Sequence, residues 1–194
     1  MKDLTNGLAF IVFFLLCSCS MTHLERKITN DFIREKFEKS TYKPSQFKNN
    51  RLVEEAGDGS VALLFYEQIF NDTTQFNYNE QYWPLSNNQI QVLRNRKLKK
   101  HLWRKSDLSV YDFTIVSSKE NSANFKSEYY LNLPDEFLVF ALSKPLLIND
   151  HEALCFYQVT HKLGGTIEQC VVLLKKENDV WKIHSSYHNA NITW

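Results

Sequence analysis

Leu16-Cys17-Ser18-Cys19 is the stretch whose residue types and order point to a definite chemistry. A leucine three residues ahead of a cysteine, with a small residue directly before it, suits the lipoprotein signal peptidase. The cysteine behind the cut carries a thioether-linked diacylglycerol, and its freed amine can take a third chain. Cys19 meets both conditions, whereas Cys17 follows Leu16, which is too bulky for the small pocket. One acyl chain binds a membrane only marginally, but two or three anchor it stably. The residues ahead of the cut fit the same reading. Lys2 supplies a positive charge, weakened by Asp3, and the apolar run Leu8–Leu16 has the length of a secretory h-region and is too short for a mature span. Residues 1–18 therefore read as a signal peptide and 19–23 as a lipidated tether. Ser20 stands where an aspartate often signals inner-membrane retention, and no acidic export run follows, so the expected site is the outer membrane, periplasmic leaflet.

Other candidate chemistry is weaker. Arg94, Arg96, Lys97, Lys99, Lys100, Arg104 and Lys105 make the strongest local charge feature, a candidate contact for anionic headgroups or an acidic partner, or else a solvated helix face. His184 and His188, four apart on one strand, stand about 13 Å apart, too far to share an ion. Asp150, His151 and Glu152 adjoin a turn, but no His-Glu-x-x-His helix or Cys-x-x-Cys pair occurs, so no metal is expected. There is no Gly-x-Ser-x-Gly elbow or phosphate-cradling loop, and the adjacent Asp135 and Glu136 point apart if extended. These readings assign no catalytic residue and no cofactor. Twenty-three basic against twenty-two acidic side chains give a net charge of +1, which does not draw the chain to nucleic acid.

The elements that must position these residues follow from caps, periodicity and turns. One domain is expected over residues 24–194, a length that can bury a real core. Thr22 and Glu25 have capping-box spacing, and Leu24, Ile28, Phe32 and Phe37 recur at near-helical intervals behind them. Lys39–Asn50 reads as a loop, Ala56–Ser60 as a turn, and Val61–Phe70 as a short helix, although its spacing also fits a strand. Ser86 and Gln89 repeat the capping box and predict a second, basic helix running to about Trp103. Beyond Ser109 strands are predicted at 113–116, 128–133, 137–142, 153–159, 167–174 and 180–185.

The turns set the register. Asn178-Asp179 fits a two-residue type I′ turn that pairs Glu177 with Val180. It places Trp181, Ile183, Lys176, Leu174, Val172 and Cys170 on a core face, with Lys182, His184, Lys175 and Leu173 on the other. Gly164-Gly165 marks the turn before it, and pairing Lys162 with Gly165 puts Cys155, Tyr157 and Cys170 on the same core face. The two cysteines then sit diagonally. They are a candidate disulfide only if a bulge at the glycines shifts pairing by two, and otherwise two buried thiols.

Leu142-Ser143-Lys144-Pro145-Leu146-Leu147, the Gly164-Gly165 turn and the run Leu173-Leu174-Lys175-Lys176-Glu177-Asn178-Asp179-Val180-Trp181-Lys182-Ile183 together resemble small lipoproteins of Bacteroidetes. Those have a Ser-Lys-Pro lead-in to a strand, a glycine-turn hairpin and a terminal Lys-Lys-x-Asn-Gly-x-Trp-Lys hairpin. The resemblance covers residues 137–186, with Asp179 in place of the usual glycine, and implies no activity. The expected fold is α+β, an antiparallel sheet of five or six strands in the C-terminal half with two or three N-terminal helices on one face. The expected function is a membrane-anchored binding or scaffold module for an envelope protein, peptide or glycan, with Tyr78, Tyr82 and Trp83 as contact residues or a lid on the core. The alternative is a small-pocket envelope enzyme of unassigned reaction.

Overall fold

The Thr22 and Glu25 side chains and main-chain N–H groups satisfy one another, and helix α1 (His23–Lys39) starts there. The computed structural model describes residues 22–39, 49–56, 59–71, 76–77, 85–96, 101–125, 137–162 and 164–189. After α1 come strands β1 (Arg51–Val53) and β2 (Glu55–Ala56), helix α2 (Ser60–Asn71), strand β3 (Phe76–Asn77) and helix α3 (Asn87–Arg94). Strand β4 (His101–Leu102), a 3₁₀ turn (Lys105–Asp107), strand β5 (Thr114–Val116) and helix α4 (Ser118–Phe125) follow. The C-terminal half supplies β6 (Leu138–Leu142), β7 (Leu146–Asn149), β8 (Glu152–His161), β9 (Thr166–Glu177) and β10 (Val180–Asn189).

The main sheet runs β3-β10-β9-β8-β6-β1-β5, with β7 also on β8, while β2 and β4 pair separately. It is mostly antiparallel, but β1 lies parallel to both β5 and β6. Asn178 and Asp179 both take positive φ, as a type I′ turn requires, and Glu177 faces Val180. From Glu152 to Val159, β8 meets β9 in the expected register, Tyr157 opposite Cys170 and Cys155 opposite Val172. One residue is extra nearer the turn, between Glu168 and Thr166.

Several expectations need correction. Helices cover both faces of the sheet. On one, Ile28 and Phe32 of α1 pack with Cys155, Tyr157, Val172, Leu174 and Trp181. On the other, Ala62, Leu63 and Tyr66 of α2, with Leu93 of α3, pack with Leu154, Val171 and Tyr187. Leu173, expected on the outer face, is likewise fully buried. The cause is the uninterrupted run Val171–Leu174, which is apolar at both parities and therefore demands cover on both sides. Strands also come from the N-terminal half, since β1 and β3 join the main sheet.

The predicted long basic helix ends at Arg94, where Asn95 caps α3. The Ser86–Gln89 capping box at its start is present as expected. Trp103 is not a helical residue; it is buried, and its indole N–H donates to the Leu142 carbonyl at 2.9 Å. The Val61–Phe70 segment is the helix expected, within α2. The predicted strand at 128–133 and most of the predicted loop Lys39–Asn50 lie outside the described residues.

Ser143-Lys144-Pro145 interrupts β6 and β7, two short strands that follow one another along the same edge of β8. Ser143 bridges the break twice. Its N–H donates to the Phe156 carbonyl at 3.0 Å, and its hydroxyl accepts the Phe156 N–H at 2.8 Å. Lys144 reaches Glu25 at 2.9 Å and ties the break to the start of α1. Pro145, which has no N–H to offer a ladder, sits where no ladder runs.

Candidate functional site

Helix α1 does three jobs with three stripes of side chains. Ile28 and Phe32 enter the core. Asp31 and Glu35, one turn apart, lie over the open edge of β10 and accept its outward N–H groups, Trp181 to Asp31 Oδ2 at 3.1 Å and Ile183 to Glu35 Oε2 at 2.6 Å. An edge strand with bare N–H groups is a template for unwanted pairing, and here two carboxylates cover it. The third stripe, His23, Arg26, Lys27, Asn30 and Arg34, lines a shallow cleft of about 340 Å³, closed on its far side by Ser106, Asp107 and Ser109.

The far wall is held rigidly. Buried Asp107 accepts from Arg26 Nε at 3.1 Å and from the Arg104 N–H at 3.1 Å, and its Oδ2 also lies 3.1 Å from His101 Nε2. Asn30 accepts from the N–H groups of Ser109 and Val110 and donates to the Arg26 and Asp107 carbonyls. Asp31 also receives Lys27 at 3.2 Å and Arg34 at 3.4 Å. Three full cations, Arg26, Lys27 and Arg34, thus face two carboxylates, and both carboxylates carry backbone bonds as well. The cleft is net cationic.

A second polar cluster lies under the far end of α1. Glu168 and Cys170 stand two apart on β9, and His188 of β10 pairs directly with Cys170. The register explains this. Ile183 faces Leu174 but Ser185 faces Leu173, so His184 is an extra residue that reverses the parity of the rest of β10. Tyr187 thereby goes to the α2 side, and His188 comes to the α1 side beside Glu168. His188 Nδ1 lies 3.5 Å and Cys170 Sγ 3.9 Å from Glu168 Oε1, which also receives the ammonium of Lys36. Lys36 in turn sits over the Tyr157 ring, 5.3 Å from its centroid.

Burial pushes the Cys170 thiol up to about 12, with Lys36 opposing the shift and Glu168 adding to it. Burial likewise raises Cys155, helped by its neighbour Cys170. His188 is held below the usual histidine range, first by burial, with Glu168 opposing and Lys36 reinforcing. The two cysteines are free thiols set diagonally, and the two-residue shift that a direct pairing requires does not occur.

The remaining predicted site residues are dispersed. Arg94 pairs with Glu67 at 2.8 Å, Arg96 donates to the Leu147 carbonyl, and Lys105 pairs with Asp112 at 2.8 Å. Arg104 is exposed beside the cleft wall, while Lys97, Lys99 and Lys100 lie outside the described residues. The expected single basic face on one helix is therefore absent among the described residues, because Asn95 ends α3. Tyr78, Tyr82, Trp83 and Cys19 also lie outside the described residues. Asp150 and His151 form the β7–β8 turn, and Glu152 starts β8 and pairs with Lys175 at 3.4 Å. His184 and His188, expected on one face, fall on opposite parities because of the bulge. Residue types alone marked neither the cleft nor the Glu168 cluster, whose members become neighbours through long-range pairing.

No protein-family model, curated protein or solved structure matches the chain. Among the described residues no helix is long and apolar enough to cross a membrane.

Proposed function

We propose that the chain is a lipid-anchored binding module of the outer-membrane periplasmic leaflet whose α1 cleft receives an anionic group. The observation that carries this reading is the charge of the cleft, in which Arg26, Lys27 and Arg34 outnumber Asp31 and Asp107 while both carboxylates are already engaged. Distance along the chain supports it. Four residue steps separate Cys19 from His23, at most about 14 Å of extended backbone, so the start of α1 stays near the acylated residue. Basic side chains near an anionic surface contribute roughly 1 kcal/mol each, falling off within a Debye length. Phosphate headgroups beside the anchor are therefore the ligand class this cleft suits. Arg104 and Lys105, next to Ser106 in sequence, widen the basic rim. An envelope protein, peptide or glycan held by the Tyr78–Trp83 segment is the broader reading from sequence. A small-pocket enzyme has weaker support, since the cleft is open and its carboxylates serve structural bonds.

Vesicle sedimentation of a mature chain lacking the acylated cysteine tests the proposal. Binding is expected to phosphatidylglycerol vesicles and not to phosphatidylcholine ones, to weaken with salt, and to fall in the Lys27→Gln, Arg34→Gln double variant. Equal binding to both vesicle types, or a loss produced only by replacing Lys97, Lys99 and Lys100, sinks the cleft as the contact.

A further inference from the structure

The cluster under the C-terminal end of α1 holds three donor types that a borderline-soft divalent ion takes together: a carboxylate, a thiol sulfur and an imidazole nitrogen. Their ligand atoms all lie within 4.8 Å of one another. Two atoms each bound at about 2.0–2.3 Å to one ion are at most about 4.6 Å apart. The measured separations of 3.9 Å from Cys170 Sγ and 3.5 Å from His188 Nδ1 to Glu168 Oε1 fall inside that limit, and the third edge needs at most a small closure.

We propose that Glu168, Cys170 and His188 form a three-ligand site for a zinc-class divalent ion, with water at the fourth position. Three features support a built site. All three residues sit on long strands of the sheet, two of them in a directly opposed pair, so their backbones are fixed by the ladder. The residue that completes the set arrives only because of the bulge at His184, and bulges serve to re-aim side chains. His188 is 38% exposed at its side chain, which gives an ion an approach from solvent to a cluster whose other two ligands are 13% exposed or fully buried.

Lys36 is the competitor. Its ammonium occupies Glu168 Oε1, the oxygen nearest both other donors, and its side chain is only 12% exposed. Binding a divalent ion requires Cys170 to lose its proton to solvent and Lys36 to yield that oxygen or share the carboxylate. The bound ion with thiolate, carboxylate and neutral imidazole is charge-neutral, so Lys36 adds a net positive charge beside it. Removing Lys36 therefore strengthens the site, the opposite of what a purely structural ion pair predicts.

The test is titration of the full-length, detergent-solubilised, chelator-treated protein with Co²⁺ under reducing conditions, read by the thiolate-to-cobalt charge-transfer band. One equivalent is expected to produce the band and Zn²⁺ to abolish it. Cys170→Ser is expected to remove the band, His188→Ala to weaken binding tenfold or more, and His184→Ala to change nothing. Lys36→Met is expected to keep the band and tighten binding by roughly tenfold. Because Cys170 is fully buried, near-ultraviolet circular dichroism first establishes which variants fold, and His188→Ala and Lys36→Met carry the test should Cys170→Ser fail. The proposal is overturned by the absence of a stoichiometric band, by a band lost in Cys155→Ser but kept in Cys170→Ser, or by weaker binding in Lys36→Met.

Discussion

His188 lies directly across the β9–β10 ladder from Cys170, and it does so because one residue, His184, is inserted without a partner on β9. Were His184 paired, a regular ladder from the Asn178-Asp179 turn would send His188 to the α2 side and Tyr187 to the α1 side. Deleting His184 alone removes only the extra residue, so Ser185 to His188 keep their partners and faces. Deleting His184 and Ser185 together instead moves Tyr187 opposite Val172 and His188 opposite Val171, which takes Tyr187 out of the α2 layer in which it is buried and puts His188 into it. A loss of about 3 kcal/mol or more in urea unfolding is expected for this double deletion, on the scale of a truncated aromatic core residue. His184→Ala at the exposed bulge is expected to stay within about 0.5 kcal/mol. Similar midpoints for the double deletion and His184→Ala would show that β10 tolerates either parity.

Much of the scaffold is legible from local chemistry. The Thr22–Glu25 and Ser86–Gln89 boxes start helices, and Asn178-Asp179 fixes the terminal hairpin, because each is decided by a few adjacent residues. The second helical layer was also written in the sequence, in Val171–Leu174, but an alternating reading of β9 hides it. The bulge is different: nothing in Ile183-His184-Ser185 announces it, since it is selected by what Tyr187 and His188 must each face. Lys36 and Glu168 are likewise 132 residues apart and meet only once α1 is laid across the sheet. The candidate site is therefore much less readable than the fold that carries it.

The raised thiol pKa values of Cys155 and Cys170 give a pH dependence with a definite sign. Both groups hold their protons in the folded state well above the ordinary thiol value of about 8.5. Above that value the unfolded chain binds fewer protons than the folded one, so stability falls as pH rises. In the chelated protein the decline is expected to begin near pH 8.5, with each thiol contributing at most about 1.4 kcal/mol per pH unit. Cys155→Ala is expected to flatten it. Urea midpoints between pH 8 and 10.5 check this, and an identical slope in the variant would remove Cys155 from the cause.

Acylation at Cys19 is expected to decide membrane association. Replacing Cys19 with Ala should release the protein from the membrane fraction and abolish labelling by a fatty-acid probe, because the anchor is the diacylglycerol on that sulfur. Cys17→Ala should leave both intact. The reverse pattern would move the cleavage point two residues upstream and give Cys17 the lipid.

Ser143 offers the sharpest test of how the break in the sheet edge is held. Where β6 stops and β7 has not begun, β8 still presents the Phe156 N–H, and the Ser143 hydroxyl accepts it at 2.8 Å inside the protein. Ser143→Ala removes the acceptor and leaves that donor buried, with no room made for water by the loss of a single oxygen. The cost of an orphaned buried donor is about 1–3 kcal/mol. Ser143→Thr keeps the hydroxyl, and since Ser143 is almost fully buried its added methyl group is expected to cost about 1–3 kcal/mol through crowding instead. The two losses are separable by amide hydrogen exchange. In Ser143→Ala the Phe156 amide is expected to exchange faster relative to its neighbours on β8, whereas in Ser143→Thr it keeps its relative protection even if the whole protein is less stable. Undiminished protection of Phe156 in Ser143→Ala would mean that the ladder closes across the gap without the serine, and that the Ser-Lys-Pro sequence acts through Pro145 and the Lys144–Glu25 pair alone.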